Sequence, residues 1–270
     1  MDDSLFRSSF IVSNVPHWPC PVCERGILRL KKEDFFSEYD ASTEASKDDP
    51  QFDYEWVTYV FHGFLRCNLC LAKVAFSGSG NVEQDYDDSD RGWSYFDYYR
   101  PKFFHPSLML IQVDNKVLVP GPVMDALQKA CELFWADLDS CSNRIRTAVE
   151  YILDDLKIPR RQQRPKRRLN LHERINLLQE PNLADVKTIL EAVKWIGNTG
   201  THESGTLDRQ QVIEGFRMLE HCLSTLYPKP AASVAGILAV ARAVNDAKGS
   251  LTSGEIRRLR ASAEGGELGK

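Results

Sequence analysis

Two pairs of cysteines carry the clearest chemical signal in the sequence. Cys20-Pro-Val-Cys23 and Cys67-Asn-Leu-Cys70 each bring two thiols together on one turn, and two such turns complete a tetrahedron of sulfur atoms around zinc. Four thiolates close the coordination sphere and leave no position for water. The pattern therefore predicts one structural Zn²⁺ that folds the surrounding chain. Redox activity of a single pair is the alternative.

The other cysteines and two histidines bear on this prediction. His17 and His62 lie near the pairs in sequence and offer substitute ligands, although four cysteines already suffice. Cys131, Cys141 and Cys222 fall within helical patterns, and we expect them to be small buried hydrophobic residues. Seven cysteines is an odd number, and four of them in pairs favour a metal site in a reducing compartment over disulfides.

The residues between the two pairs must fold so that the second pair reaches the first. Alternation over residues 52–67 predicts a strand that delivers Cys67, as in the second knuckle of a zinc ribbon. One face of this strand is expected to carry Tyr54, Trp56, Thr58, Val60, His62 and Phe64. A second strand is predicted over 71–76, whereas 37–51 and 80–92 are polar and acidic and are expected to be loops.

A segment dense in aromatic residues, 93–106, follows the second loop. Pro101 and Pro106 limit any regular strand there, because proline cannot donate to a strand ladder. One interpretation is a hydrophobic seam that joins the sheet to the helical part. The other is a platform on which nucleic-acid bases stack, since stacking proteins use exposed aromatic side chains.

From residue 120 onward, apolar residues recur at intervals of three and four, which predicts helices. The predicted helices lie at 123–138, 141–156, 171–180, 183–196, 206–226, 231–247 and 251–263, and Thr206 is the expected N-cap of the fifth. The fold class is therefore α+β. We expect a zinc-ribbon-like antiparallel β module at 1–118, a helical bundle at 119–228 and a C-terminal helical extension at 229–270.

A basic run, "RRQQRPKRR", links two of the predicted helices. Its six cations are Arg160, Arg161, Arg164, Lys166, Arg167 and Arg168. Three interpretations stay open: a solvated loop, a site for the phosphate backbone of RNA or DNA, and a docking segment for an acidic partner. Arginines in a linker supply affinity without a groove geometry, so the run is not expected to discriminate between base sequences.

Composition excludes several classes of protein. A formal net charge of −4 and a pI near 5.9 exclude a uniformly basic nucleic-acid binder, but they allow a local basic patch. The longest apolar stretch, 231–244, contains Arg242 and is shorter than the roughly 20 residues that a membrane span needs. The first residues show no basic segment followed by an apolar one. We therefore expect a cytoplasmic protein that does not bind membranes.

Four helical segments resemble a bacterial family known as domain of unknown function 4145. They read "VPGPVMDALQKA", "NRIRTAVEYIL", "ILEAVKWIGNTGTH" and "LEHCLSTLYPKP". Arg146 and Glu150 match an arginine and a glutamate four positions apart in that family, and Gly197, Asn198 and His202 match its Gly-Asn-x-x-x-His turn. The resemblance implies a zinc element before the helices and a prokaryotic stress or phage-defence setting.

The helical part is also similar to the HEPN superfamily, whose ribonuclease members carry Arg-polar-x-x-x-His at a helix junction, usually across a dimer. This resemblance implies that His202 transfers protons, that Asn198 is the polar residue and that the chain is a homodimer. Gly197 stands where the arginine belongs, and loss of a preorganised cation typically costs orders of magnitude in rate. Lys194 or Glu150 is the candidate to support His202.

The same turn has an interpretation without catalysis. Gly197 is suited to the left-handed conformation that closes a helix, and Asn198 tolerates such positions. His202 then caps or bridges two helices. A structural, a ligand-binding and a catalytic His202 all stay open.

The combined signals predict a zinc-binding adaptor for nucleic acid or protein, and the resemblance alone implies that it acts in phage defence or stress response. Its expected partners are a second copy of the chain and either an RNA or DNA backbone or a defence-system protein. The rival hypothesis is a metal-independent ribonuclease that uses His202 and Asn198. A purely structural oligomerisation protein is the third.

Overall fold

The computed structural model describes residues 3–87, 92–113, 116–202 and 207–228, together with positions 242, 243, 245, 246 and 255. In the described part of the chain an antiparallel sheet precedes the main helices, so the predicted α+β class is confirmed. Met1–Gln112 and Pro120–Cys222 together form one compact unit, and Val113–Val119 and Leu223–Lys270 form a second. None of the described helices is both long and apolar enough to cross a membrane.

Four strands pair in sequence order in the first unit. They are β1 (Leu28–Tyr39), β2 (Thr58–Cys67), β3 (Lys73–Asp87) and β4 (Gly92–His105). Each connection is antiparallel, so consecutive strands are neighbours in the sheet. β2 therefore lies between β1 and β3, and its last residue, Cys67, pairs with Leu28 at the start of β1.

The region between β1 and β2 differs from its prediction. The loop expected over 37–51 instead contains the end of β1 and a short helix, α1 (Ala41–Ser46). The Asp40 side chain caps this helix by accepting hydrogen bonds from the N–H groups of Ser42 and Thr43. The strand predicted from residue 52 begins only at Thr58, because Tyr54–Trp56 form a 3₁₀ turn capped by Asp53.

The long hairpin of β3 and β4 corrects two further predictions. Residues 80–87 belong to β3 and pair with β4, so the loop predicted over 80–92 is wrong for that part; residues 88–91 lie outside the described ones. The aromatic segment 93–106 is a strand as far as His105. Pro101 fits because β4 is an edge strand, and Pro101 faces Gly78 where the pairing register shifts.

The inner face of the sheet is an aromatic core. It consists of Phe10, Phe35, Phe61, Phe76 and Tyr99, and the centroids of the rings in contact lie 4.8–6.4 Å apart. Phe10 and Tyr99 also exchange two backbone hydrogen bonds of 2.9 and 2.8 Å. The segment before β1 therefore covers the sheet and removes this face from water.

A second aromatic group joins the sheet to the helical part. Trp18 is fully buried, and its ring lies 5.1 Å from that of Phe104 and 5.9 Å from that of Trp135. Phe104 and Trp135 are themselves 5.2 Å apart. Segment 93–106 thus joins the sheet to the helical part through Phe104. Two other aromatic side chains of the segment, Trp93 and Phe103, are 68% and 64% exposed.

Between residues 121 and 226, the described part of the chain forms four long helices and one short helix. They are α2 (Gly121–Leu133), α3 (Leu138–Asp155), α4 (Leu171–Asn176), α5 (Ala184–His202) and α6 (Arg209–Leu226). Their buried residues recur with helical spacing, as the sequence predicted. The N-cap predicted at Thr206 lies outside the described residues, as do most of the two helices predicted beyond residue 230.

The end of α5 contradicts the predicted helix stop at Gly197. The backbone stays helical through Gly197 and Asn198 to His202, so Gly197 does not close the helix. A Cβ at Gly197 would lie 2.8 Å from the Cβ of Arg146 and 3.3 Å from the carbonyl oxygen of Ser142, both on α3. The glycine therefore lets α3 and α5 approach closely.

This contact predicts opposite effects for two substitutions of helical glycines by alanine. Gly197→Ala should lower the free energy of unfolding by about 1 kcal/mol, because overpacking costs about 1–3 kcal/mol and outweighs the helix propensity gained. A Cβ at Gly215 of α6 would meet its nearest neighbours at 3.6–3.8 Å, an ordinary contact distance. Gly215→Ala should therefore raise the stability by about 0.5–1 kcal/mol. Denaturant titration of both variants tests this, and equal changes would contradict it.

Candidate metal centre and basic hairpin

The two cysteine pairs meet at one point. One sulfur atom from each of Cys20, Cys23, Cys67 and Cys70 lies within 4.8 Å of the other three. The Sγ atoms of Cys20 and Cys70 are 3.7 Å apart, and those of Cys23 and Cys67 are 3.6 Å apart. A disulfide requires about 2.05 Å, so these are four free thiols. The cluster has the donor atoms and spacing to hold a metal ion.

Each Cys-x-x-Cys turn orients its sulfur atoms through the backbone. The N–H groups of Val22 and Gly26 point to Cys20 Sγ and Cys23 Sγ, both at 3.4 Å. In the second turn the N–H groups of Leu69 and Cys70 point to Cys67 Sγ at 3.3 and 3.4 Å. Such donors stabilise the thiolate form, which is the form that binds metals.

The residue after each pair turns the chain in the same way. Glu24 has φ 57° and Leu71 has φ 63°, so both adopt the left-handed conformation that side chains other than glycine rarely take. The two turns thus repeat one local geometry, and the strain of these two residues is the cost of reversing the chain at each pair.

Contacts between the residues just before β1 and the residue just after β2 hold the two turns together. The side-chain oxygen of Asn68 accepts a hydrogen bond of 2.8 Å from the N–H of Ile27, and the N–H of Asn68 donates to the oxygen of Ile27 at 3.0 Å. Gly26 permits this approach, because a Cβ there would lie only 2.3 Å from Cys67 Sγ. Sequence reasoning missed both Gly26 and Asn68, whose roles depend on a contact between distant segments.

The thiols differ in acidity. Hydrogen bonds from the backbone N–H groups of Arg25 and Gly26 lower the pKa of Cys23 to about 6. Burial opposes ionisation of Cys67, but the N–H groups of Cys70 and Leu69 outweigh it and lower its pKa. The N–H of Ala72 favours the thiolate of Cys70, yet desolvation and hydrogen bonds to the other sulfur atoms raise its pKa to about 12. The cluster therefore resists complete ionisation without a cation among the sulfur atoms.

The two histidines near the pairs are occupied elsewhere. His17 Nε2 lies 2.6 Å from Arg29 Nη1, and the ring of His62 stacks on Phe36 at 5.2 Å. Neither belongs to the group of close ligand atoms found among the described residues. Cys131, Cys141 and Cys222 are fully buried, as expected, and burial raises the pKa of Cys131 and Cys222 to about 12.

The basic run forms a small hairpin between α3 and α4. Its strands are β5 (Arg161–Gln162) and β6 (Arg167–Arg168), and Arg161 lies directly opposite Arg168. All six cations are exposed. The run is therefore an ordered hairpin that presents its charges to solvent.

Two of the six cations form ion pairs. Arg160 Nε donates to Asp154 at 2.9 Å, and Arg167 donates to both oxygens of Glu173 at 2.7 and 2.9 Å. This pairing with Arg167, followed by the hydrogen bond from the N–H of Asn170, lowers the pKa of Glu173 to about 2. Among the described residues, no carboxylate pairs with the remaining four, which are Arg161, Arg164, Lys166 and Arg168.

The residues of the ribonuclease hypothesis are only partly described. Asn198 and His202 lie in the last turns of α5, and their side chains fall outside the described residues. Lys194, three turns from the helix start, is 3% exposed and its Nζ lies 3.1 Å from His172 Nδ1. Burial lowers the pKa of Lys194. Glu150 lies on α3 beside the hairpin, and the catalytic role of His202 stays a prediction.

Two family models match separate parts of the chain. Residues 8–104, which contain all four clustered cysteines and most of the sheet, match a model described as domain of unknown function DUF8608. Residues 128–249 match the model described as domain of unknown function DUF4145, which confirms the resemblance seen in the helices. No curated protein and no solved structure matches the chain significantly.

Proposed function

We propose that this protein, whose residues 128–249 match the DUF4145 family model, is a zinc-dependent adaptor. In this role it binds the phosphate backbone of a nucleic acid. In this proposal the four clustered cysteines hold one Zn²⁺, and the hairpin of β5 and β6 supplies the cations. The observation that carries it is the set of four exposed hairpin cations without an acidic partner among the described residues. The homodimer and the phage-defence or stress setting stay predictions of the resemblance.

The spacing of the sulfur atoms supports zinc as the metal. Zinc–sulfur bonds of about 2.3 Å in a tetrahedron place neighbouring sulfur atoms about 3.8 Å apart. The separations of 3.7 and 3.6 Å between sulfurs of opposite turns agree with this value. Bound zinc would link the two turns and fold the sheet, and four thiolates leave no site for a catalytic water.

The charges of the hairpin support nucleic acid as the partner. Arg161 and Arg168 face one another across a ladder of only two residue pairs. Like charges directly opposite in a sheet are destabilising, so this arrangement works against the hairpin unless an anion lies near it. A phosphate backbone supplies regularly spaced anions and releases its counterions when cations replace them.

The outer face of the sheet offers sites for base stacking. The pairing register places Phe36, His62, Ser77 and Phe103 in one row across β1 to β4. Phe36 and Phe103 are 52% and 64% exposed, and the ring of His62 already stacks on Phe36. Exposed rings of this kind contribute to binding of single strands with little dependence on base identity.

Salt dependence of binding to single-stranded RNA tests the hairpin. The double variant Arg164→Gln/Lys166→Gln should weaken the salt dependence of binding. The negative slope of log affinity against log salt should become shallower by about 1.4, because each phosphate contact on a single strand contributes about 0.7 to its magnitude. The variant Lys32→Gln/Lys47→Gln removes the same charge from exposed positions in β1 and at the C-cap of α1, and serves as the control. Equal slopes for the two variants, or no RNA binding by the natural sequence, would refute the proposal.

A further inference from the structure

A cavity of about 270 Å³ lies between α3, the basic hairpin and the start of α4. Its charged lining residues are Arg146 and Glu150 of α3, Arg160 and Arg168 of the hairpin segment, and Arg174 of α4. Leu169, Asn170 and Leu171 complete the wall. Ligand pockets for drug-sized molecules begin at about 300 Å³, so this cavity is of a size to hold a small group rather than a long chain.

Positive charge predominates at this cavity. Among the described residues that line it are four guanidinium groups and one carboxylate, that of Glu150. Asp154 lies just behind the wall, where it accepts hydrogen bonds from both Arg160 and Arg174. Guanidinium groups thus outnumber these carboxylates, which favours an anionic ligand. A phosphate monoester carries −1.5 to −2 charges at neutral pH and is such a ligand.

Arg174 is held in place before any ligand arrives. It is 3% exposed, and its Nη2 donates to Asp154 at 2.7 Å and to the carbonyl oxygen of Ile158 at 2.9 Å. Its Nη1 reaches the carbonyl oxygen of Glu150 at 3.3 Å, whereas its Nε has no hydrogen-bond partner among the described residues. A buried guanidinium fixed on three sides contributes to anion binding with little loss of side-chain entropy.

Arg168 completes the site from the solvent side. It is exposed, it lines the cavity, and no described carboxylate pairs with it. An anion in the cavity would relieve the repulsion between Arg168 and the opposite residue, Arg161. A guanidinium also suits phosphate because its planar donors match two phosphate oxygens at once.

We propose that this cavity binds the phosphate group of a phosphate monoester. The site shares Arg168 with the hairpin surface, but it does not depend on binding of a nucleic-acid backbone, since the enclosed group is a terminal phosphate. Arg164 and Lys166, the residues altered in the RNA experiment above, do not line the cavity. The two proposals can therefore fail separately.

Calorimetric titration of the full chain with inorganic phosphate, at ionic strength fixed with chloride, tests the site. Arg168→Gln should weaken phosphate binding by about tenfold or more, because a hydrogen-bonded charge is lost. Arg164→Gln, which removes the same charge from the same hairpin, should change the affinity less than twofold. Equal weakening by the two variants, or no effect of Arg168→Gln, would overturn the proposal.

A variant that gains affinity separates binding from folding defects. Glu150→Gln removes a negative charge from the lining and should strengthen phosphate binding several-fold, a result that partial unfolding cannot produce. Unchanged or weaker binding would count against the site.

Adenosine 5′-monophosphate and RNA with either a 5′-phosphate or a 5′-hydroxyl then identify the source of the phosphate group. If the mononucleotide binds as tightly as the phosphorylated RNA, the source is a small phosphorylated molecule. If the mononucleotide binds much less tightly than the phosphorylated RNA, the source is an RNA end.

Discussion

Cys20→Ser should abolish metal binding and unfold the four-stranded sheet. Cys20 is 1% exposed, its sulfur lies 3.7 Å from that of Cys70, and its N–H bonds to the oxygen of Gly26. A serine hydroxyl does not ionise and cannot replace a thiolate in this cluster. Structural zinc contributes roughly 10–16 kcal/mol of apparent binding energy in small domains, whereas whole domains are stable by about 5–15 kcal/mol. Loss of the metal is therefore comparable to the entire stability of the sheet.

Elemental analysis and circular dichroism measure this effect. The natural sequence should carry one zinc per chain, and Cys20→Ser should carry none and lose its strand signal. A strong chelator should bring the natural sequence to the same state. Cys131→Ala serves as the control, because Cys131 is also buried but lies in α2 outside the cluster; it should keep the metal. A folded sheet in Cys20→Ser with chelator present would show that the cysteines do not organise this region.

The cysteine pairs were identifiable from sequence because their signal is local. Two thiols three positions apart on one turn already define half of a tetrahedral site. The residues that join the halves were not identifiable, since Gly26 and Asn68 act across the pairing of β1 and β2. Neither glycine nor asparagine indicates by type that a sulfur atom of a distant segment lies beside it.

In the basic hairpin, too, the sequence predicts the positions of the charges but not the contacts that they make. Sequence alone locates the six cations, but it does not show which of them are neutralised. Asp154 and Glu173, the partners of Arg160 and Arg167, each lie six positions away on flanking helices, and only the turn geometry brings them close. The phosphate cavity also depends on Arg146 and Arg174, which belong to helices and carry no motif that marks them as a pair.

The helix predicted to stop at Gly197 illustrates why local signals fail. Glycine and asparagine in succession are typical of a helix end, because both tolerate the left-handed conformation. Glycine also permits close helix packing, and in α5 this second role decides the structure. The contact with Arg146 lies about 50 positions away in the chain, beyond the range of any pattern in neighbouring residues.

Trp18→Ala should cause the second large effect, a loss of about 3–5 kcal/mol in the free energy of unfolding. The indole is fully buried, and its ring lies within 5.9 Å of those of Phe10, Phe104 and Trp135. Its Nε1 donates a hydrogen bond of 2.9 Å to the carbonyl oxygen of Leu5. Alanine would leave a large cavity where the sheet meets the helical part and would leave that oxygen without its donor.

The backbone hydrogen bond of Trp18 allows this loss of stability to be distinguished from a loss of metal binding. The oxygen of Trp18 accepts a hydrogen bond of 2.8 Å from the N–H of Leu28, and alanine keeps this bond. Trp18→Ala should therefore retain one zinc per chain below its lowered unfolding midpoint, unlike Cys20→Ser. Trp93→Ala removes the same side chain from a position that is 68% exposed and should change the stability by less than about 0.5 kcal/mol. If the two tryptophan variants unfold at the same denaturant concentration, the seam around Trp18 does not couple the sheet to the helices.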